Sequence, residues 1–405
     1  MGILAKALSL VGLQRKSAPI FWPTGYEPGG AGYAGEIVTA SSTMALSAVW
    51  SCANLLSGTI SSLPFEVLRR NGDLSEVATE HPLHGVIYAS PNYEQTALDF
   101  WDYLCLSLEL WGNAYARVER SGGRVVALFP VAPDAMTVVR RTDGALEYRW
   151  TQDGKYFVRA DRDVLHIRGP GGDPLGGMST LKFGRETFST ALAADRAAAS
   201  TFKNGMRPSA AVAFKEFLTP EQRQVAETRL AEKFAGAINA GRPFMLEGGA
   251  EYKQLSISPE DAQMLETRQF SVEEICRFFA VPPVMIGHAG ANTAWPTSVE
   301  QQMILFQTYS LRRRVKRIEA AVEKQLMTAE DRAAGYSVRF NLEALLRGDS
   351  ASRASFYKTM SQIGGMTINE IRRRENLPPV DGGDVIRLQM QNVPIDQTGA
   401  MDGTA

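Results

Sequence analysis

Cysteine and histidine are scarce in this chain, and neither sign of charge prevails. The 405 residues hold three cysteines, Cys52, Cys105 and Cys276, odd in number and far apart in sequence. No disulfide framework or thiolate metal site follows from such a set, so they read as small apolar side chains of a protein folded in a reducing cytosol. Of the four histidines, His81 and His84 have the spacing of a metal pair, but no Cys or acidic partner motif accompanies them and no metal is expected. Lys and Arg number 43 against 44 Asp and Glu, a formal charge of -1. A protein built to grip nucleic acid carries a basic excess, because affinity comes from phosphate neutralisation. Any DNA contact here is therefore weak, sliding or confined to a small patch. No run approaches the ~20 apolar residues that a membrane span needs. Residues 1–13 lack the charged region and cleavage site of a signal peptide. The expected location is the cytosol or a particle assembled there.

Signatures of catalysis are also missing. The turn Gly169-Pro170-Gly171-Gly172-Asp173-Pro174-Leu175-Gly176-Gly177 lies between a strand and a helix, where a phosphate-binding loop would sit. A Walker-type loop needs Lys and Ser or Thr directly after its last Gly. Here Met178 follows Gly177, and the next Lys is Lys182. A nucleotide-binding enzyme built on the 169–177 turn is thus the disfavoured alternative, and a tight turn into a helix is preferred. No Gly-x-Ser-x-Gly elbow is present. Glu273 and Glu274 are adjacent and point to different faces of a helix. No catalytic residue and no cofactor are expected.

What is present is an α+β pattern. Residues 1–40 read as a flexible arm, rich in Gly, Pro and Ala beyond residue 14. Apolar spacing predicts a helix over 42–61, stopped by Pro64, and a strand over 65–69. Thr96 caps a helix that Gly112 ends. Short strands follow at 114–118, 125–129, 136–140, 146–150, 155–158 and 164–167. A long Ala-rich helix is expected over 179–204 and a strand at 210–214. A capping box at Thr219 opens a helix to about 236, with strands at 244–246 and 252–255. A helix opened by Ser258-Pro259 runs to Pro282-Pro283. After a loop at 287–298 comes the longest helix, 299–326, on the order of 40 Å. Two shorter helices occupy 350–363 and 367–377. No fixed-period repeat is found. The half-apolar helices need a partner surface, so an oligomer is expected. Arg312, Arg313, Arg314, Lys316 and Arg317 form a basic run that suits contact with a neighbouring subunit, and Arg372 to Arg374 form a second run.

The order of several short motifs resembles the portal proteins of long-tailed phages, prophages and gene transfer agents. The resemblance begins at Ala48-Val49-Trp50-Ser51-Cys52 and Ser62-Leu63-Pro64. It continues through His81-Pro82-Leu83, Pro91-Asn92, Leu110-Trp111-Gly112-Asn113-Ala114-Tyr115 and Asp163-Val164-Leu165-His166-Ile167. The most telling segments are Glu274-Ile275-Cys276-Arg277-Phe278-Phe279 leading into Val281-Pro282-Pro283, and Leu345-Leu346-Arg347-Gly348-Asp349. The sequence departs from the family pattern at Ala291 to Ser298, and at Arg313, where relatives commonly carry Pro. The second departure implies an unkinked long helix.

The resemblance implies an elongated portal fold. Its parts would be a wing over 41–176, a first stem helix over 177–207, a small α/β clip over 208–257 and a second stem helix over 258–283. A tunnel loop over 284–298, a long wing helix over 299–330, a helical crown over 331–384 and a tail over 385–405 would follow. It further implies a homo-oligomeric ring of twelve subunits at one capsid vertex in the virion, assembled in the host cytoplasm, and no enzyme activity. Double-stranded DNA would pass without sequence preference along a channel edged by Asn292, Thr293, Trp295, Thr297 and Ser298. Glu221, Arg223, Arg229 and Lys233 of the clip would face the terminase large subunit. The major capsid protein and a head-completion or adaptor protein would be further partners, and no membrane is involved.

Overall fold

The computed structural model describes residues 30–72, 74–171, 175–203, 210–213, 219–220, 224, 251–254, 259–288, 299–342, 350–375 and 377–386. A small antiparallel pair, β1 (Gly30–Ala31) with β2 (Ile37–Val38), leads into α1 (Ala40–Met44) and α2 (Ser47–Ser61). The sequence predicts one helix here, and two are found. Thr39 closes a capping box with Ser42 that starts α1 early, and Leu46 then takes extended geometry and enters the core. Helix α2 buries Val49, Cys52, Ala53, Leu56 and Ile60, one face at helical spacing.

Strands β3 (Phe65–Asn71) and β4 (Leu74–Val77) form a hairpin, followed by α3 (Pro82–Tyr88), which the periodicity does not predict. His81 caps α3 by accepting the Leu83 N–H at 3.2 Å, and Pro82 occupies the first helical position. His84 accepts the Val67 N–H at 3.3 Å, and burial holds its pKa below the usual histidine value. Both histidines thus serve the fold, and no cluster of three metal-ligating side chains occurs among the described residues. Helix α4 (Ala97–Trp111) matches its predicted limits: Thr96 and Asp99 make the capping box, and Gly112 ends it at φ 67°.

The predicted run of strands is β5 (Asn113–Ser121), β6 (Arg124–Val131), β7 (Thr137–Arg140), β8 (Leu146–Gln152), β9 (Lys155–Ala160) and β10 (Val164–Arg168). They build two antiparallel sheets, ordered β10-β5-β6 and β7-β8-β9. A second, smaller core joins the two sheets, with Val138, Tyr148 and Trp150 of one packed with Tyr115, Val131 and Val164 of the other.

Gly184 breaks the predicted 179–204 helix into α5 (Thr180–Phe183) and α6 (Arg185–Lys203). A Cβ on Gly184 would lie 2.6 Å from the buried Phe188 ring, so the break seats that ring. The pair β11 (Ala210–Ala213) and β12 (Glu251–Gln254) is antiparallel. Helix α7 (Pro259–Phe279) runs antiparallel to α6, as the contacts Phe188–Phe278 and Asp195–Arg268 require.

The longest helix begins as α8 (Val299–Leu305), passes through a π-helical segment over Phe306–Leu311 and continues as α9 (Arg312–Leu326). The expected uninterrupted α-helix is corrected by this segment. Its cause is in the buried stripe Phe306, Leu311, Val315, Ile318, Val322, Leu326. The first step is five residues, the i to i+5 reach of a π-turn hydrogen bond, and the rest are three or four. Arg313 itself lies in ordinary helix. After α10 (Ala329–Ala333), β13 (Tyr336–Phe340) returns to β3 and makes the sheet β13-β3-β4, with Phe340 stacked on Phe65 at 3.9 Å. Helices α11 (Ser350–Gln362) and α12 (Ile368–Arg374) end the described elements.

The main core lies where α2, α4, α7 and α9 meet the sheets of β3 and β5, and the class is α+β. No helix among the described residues is long and apolar enough to cross a membrane.

Candidate functional site: the frame flanking residues 289–298

The predicted channel residues Asn292, Thr293, Trp295, Thr297 and Ser298 lie outside the described residues. So do the clip residues Glu221, Arg223, Arg229 and Lys233. The elements on either side of residues 289–298 are described and form two stalks. One is the end of α7, where Ala280 turns the chain left-handed at φ 52° and Pro282-Pro283 open a short 3-10 turn. The other is α8 with its π segment.

Arg314 ties both stalks to the body. Its Nε and Nη2 donate to Glu109 Oε1 and Oε2 at 2.6 and 2.7 Å, a two-pronged pair. Nη2 also donates to the Phe279 carbonyl at 2.8 Å, and Nη1 to the Ser310 carbonyl and Oγ at 3.0 and 3.1 Å. One guanidinium thus joins α4, the end of α7 and the π segment. Arg317 donates to the carbonyls of Arg168 and Gly169, and burial with the charges of Arg313 and Arg314 lowers its pKa. Lys316 pairs with Glu319 at 2.6 Å. Three of the five basic residues proposed for a neighbouring subunit are therefore engaged inside the chain. Arg312 and Arg313 remain exposed, with no carboxylate partner among the described residues.

Across the frame, Cys52 of α2 and Cys276 of α7 bring their sulfurs to 3.9 Å, both buried. Contact with Cys276 and burial push the Cys52 thiol up. All three cysteines are buried, as their apolar reading predicts; the proximity of these two was invisible at a separation of 224 residues. Beside the frame, Met303, Ile304, Leu305 and Tyr309 of the second stalk are exposed, Tyr309 by 67%.

The described ends of the Gly-rich turn, Gly169 to Gly171 and Leu175 to Gly177, pack against the start of β5 and the end of α4. Gly169 N–H donates to the Gly112 carbonyl at 2.7 Å, and Gly177 N–H to Asn113 Oδ1 at 2.8 Å. A Cβ on Gly177 would lie 2.2 Å from the Gly112 carbonyl oxygen. Asn113 Oδ1 also meets His166 Nε2 at 3.0 Å, and His166 Nδ1 meets Tyr148 Oη at 3.2 Å. Oδ1 only accepts, so Nε2 carries the proton. Burial, then the Arg168 charge, pull the His166 pKa down to about 3.

That shift has a sign. Above about pH 6.5 the ring is neutral in both folded and unfolded chains. Below it the unfolded chain takes a proton that the folded one refuses, and stability falls by about 1.4 kcal/mol per pH unit towards pH 3. His166→Gln should remove this dependence. Urea unfolding at pH 6 and pH 4 should show wild type losing about 2 kcal/mol more than the variant; equal losses would refute the buried neutral ring.

Comparison with known proteins adds to this geometry. A family model described as phage portal protein matches residues 47–376. The chain is 34% identical over 373 residues to the portal protein of Enterobacteria phage HK97, covering 91% of this chain and 87% of that one. It is 33% identical to the probable portal protein of Streptomyces phage phiC31, covering 93% and 84%. A chain from the neck of a native gene transfer agent particle, computed with C12 symmetry, superposes with a TM-score of 0.62 at 22% identity, covering 94% of this chain and all of that one.

Proposed function

The chain belongs to the phage portal protein family, and from that membership we propose that it forms a ring at one capsid vertex through which double-stranded DNA is packaged and ejected. The observation that carries the reading is the family match over 47–376, which spans both stalks and the loop between them. Twelve subunits are the proposed number, in keeping with the C12 symmetry of the gene transfer agent neck whose chain shares this fold. The exposed apolar side chains of Met303, Ile304, Leu305 and Tyr309 support an oligomer, since a lone chain would leave them in water.

Within the ring, residues 41–176 with 299–330 are the wing, 177–207 and 258–283 the stem, 208–257 the clip, 284–298 the tunnel loop and 331–384 the crown, whose first strand β13 reaches back to pair with β3 of the wing. Glu221, Arg223, Arg229 and Lys233 face the terminase large subunit during packaging. Arg312 and Arg313 face a neighbouring subunit. The major capsid protein and a head-completion protein are the other partners. The role is structural; the translocating ATPase is a separate chain.

A channel that lets DNA slide needs small and polar groups in place of firm phosphate contacts, and the near-neutral charge of the chain agrees. Asn292, Thr293, Trp295, Thr297 and Ser298 supply the lining. Replacing Asn292, Trp295 and Thr297 together by Ala should leave rings intact in negative-stain images and alter the length or retention of packaged DNA by a factor of two or more, on the order of one lost contact per subunit. Rings that package and retain DNA as wild type does would remove the tunnel-loop assignment.

A further inference from the structure

The three-stranded sheets have six outer strands: β13 and β4, β10 and β6, β7 and β9. An outer strand presents unpaired N–H and C=O groups that recruit another strand unless they are covered. Three of the six are closed by the chain itself. Gln325 spans the β10 edge, its Oε1 accepting the His166 N–H at 2.9 Å and its Nε2 donating to the His166 carbonyl at 3.0 Å. Glu319 Oε1 accepts the Phe340 N–H of β13 at 2.9 Å. On β6, Leu128 N–H donates to the Pro91 carbonyl and Asn92 Nδ2 to the Leu128 carbonyl, both at 2.8 Å. A fourth, β7, is short and half-buried, with Val138 in the core.

Strands β4 and β9 have no such cover among the described residues. All four residues of β4 are exposed, and five of the six in β9. Their apolar side chains stand in water: Leu74 is 70% and Tyr156 65% exposed, and Val77 and Val158 are exposed as well. A strand protected only by charge would not carry them. The two edges also carry opposite charge. Strand β4 carries Glu76 and no base, whereas β9 carries Lys155 and Arg159 and no acid.

We propose that β9 of one copy pairs edge to edge with β4 of the next, joining two three-stranded sheets across the subunit boundary. The contact is heterologous, so each copy offers one of each edge. Contacts of that kind generate rings when the rotation closes. Backbone hydrogen bonds hold the strands and the opposite charges select the partner edge. The inference rests on the ring proposed above and adds the surface that builds it.

The test uses the full chain, with size-exclusion chromatography and light scattering over a concentration series. Glu76→Lys alone, and Lys155→Glu with Arg159→Glu, should each raise the concentration for half-assembly by about tenfold, because like charges then oppose. All three changes in one chain should bring it back to within about threefold of wild type. A merely structural role would not give that rescue. If wild type forms rings and the variants assemble at the same concentration, or the combined variant is not rescued, the edge pairing is wrong and the ring stands. If wild type forms no discrete ring, both readings fall.

Discussion

Glu109→Ala is expected to cost the folded chain about 3–5 kcal/mol, read as a lowered urea midpoint at fixed protein concentration. The Glu109 side chain is 9% exposed and that of Arg314 14%. Removing the carboxylate leaves a charged guanidinium in the interior with only carbonyls and one hydroxyl around it. An unpaired buried charge is costly because neither water nor a counter-ion reaches it. Arg314→Lys should recover little. A single ammonium cannot serve Glu109, the Phe279 carbonyl and Ser310 from one position, whereas the planar fork does. Glu273→Ala is the contrast. Glu273 meets Arg277 at 3.8 Å on the outside of α7, with both side chains at least 40% exposed, so the loss should stay within about 0.5 kcal/mol. A Glu109→Ala loss below about 1 kcal/mol would show that the pair does not hold the stalks.

Local chemistry was legible in the sequence. Thr96 and Gly112 mark both ends of α4, and alternation places six consecutive strands from β5 to β10. What could not be read depends on partners distant in the chain. Strand β13 exists because it pairs with β3, some 270 residues earlier by the register Phe340 to Phe65, and nothing in Tyr336–Phe340 announces that partner. Helix α3 is seven residues, too short for a periodic signal, though His81-Pro82 is a start signal in hindsight. The π segment had a readable sign in the five-residue step from Phe306 to Leu311, which an α-helical template absorbs as noise. The basic run of α9 is uniform in sequence and divided in space: Arg314 and Arg317 turn inward to carbonyls and Glu109, and Arg312 and Arg313 turn outward. Charge patterning gives the run but not the direction of each side chain, because the fork of Arg314 is satisfied by groups from three other places in the chain. The same holds for the strand edges. Gln325 and Glu319 are ordinary helix residues in sequence and become edge covers only when α9 crosses the sheets.

Three glycine substitutions separate backbone strain from lack of space, and Gly112→Ala should be the most damaging, at about 3–5 kcal/mol. Gly58 lies inside α2 in helical conformation with nothing near an added Cβ. Alanine there restricts the unfolded chain and should stabilise by about 0.5–1 kcal/mol. Gly122, in the tight β5–β6 turn, has φ 58° and open space, so alanine should cost about 1 kcal/mol for the left-handed backbone alone. Gly112 combines φ 67° with a Cβ position 1.8 Å from the Met178 carbonyl oxygen. That oxygen belongs to a main chain fixed at several points: Met178 N–H donates to the Pro170 carbonyl, Gly177 N–H to Asn113 Oδ1 and Gly169 N–H to the Gly112 carbonyl. Relief of the clash must move the turn that leads into α5, or the end of α4 that carries Glu109. The difference between Gly112→Ala and Gly122→Ala is the steric part, expected at about 2–4 kcal/mol. It should appear as a lower thermal midpoint and as poor recovery of soluble chain. Equal midpoints for the two variants would mean that the 169–177 turn yields to an added methyl, and that its close approach to Gly112 does not hold the strand-to-helix connection in place.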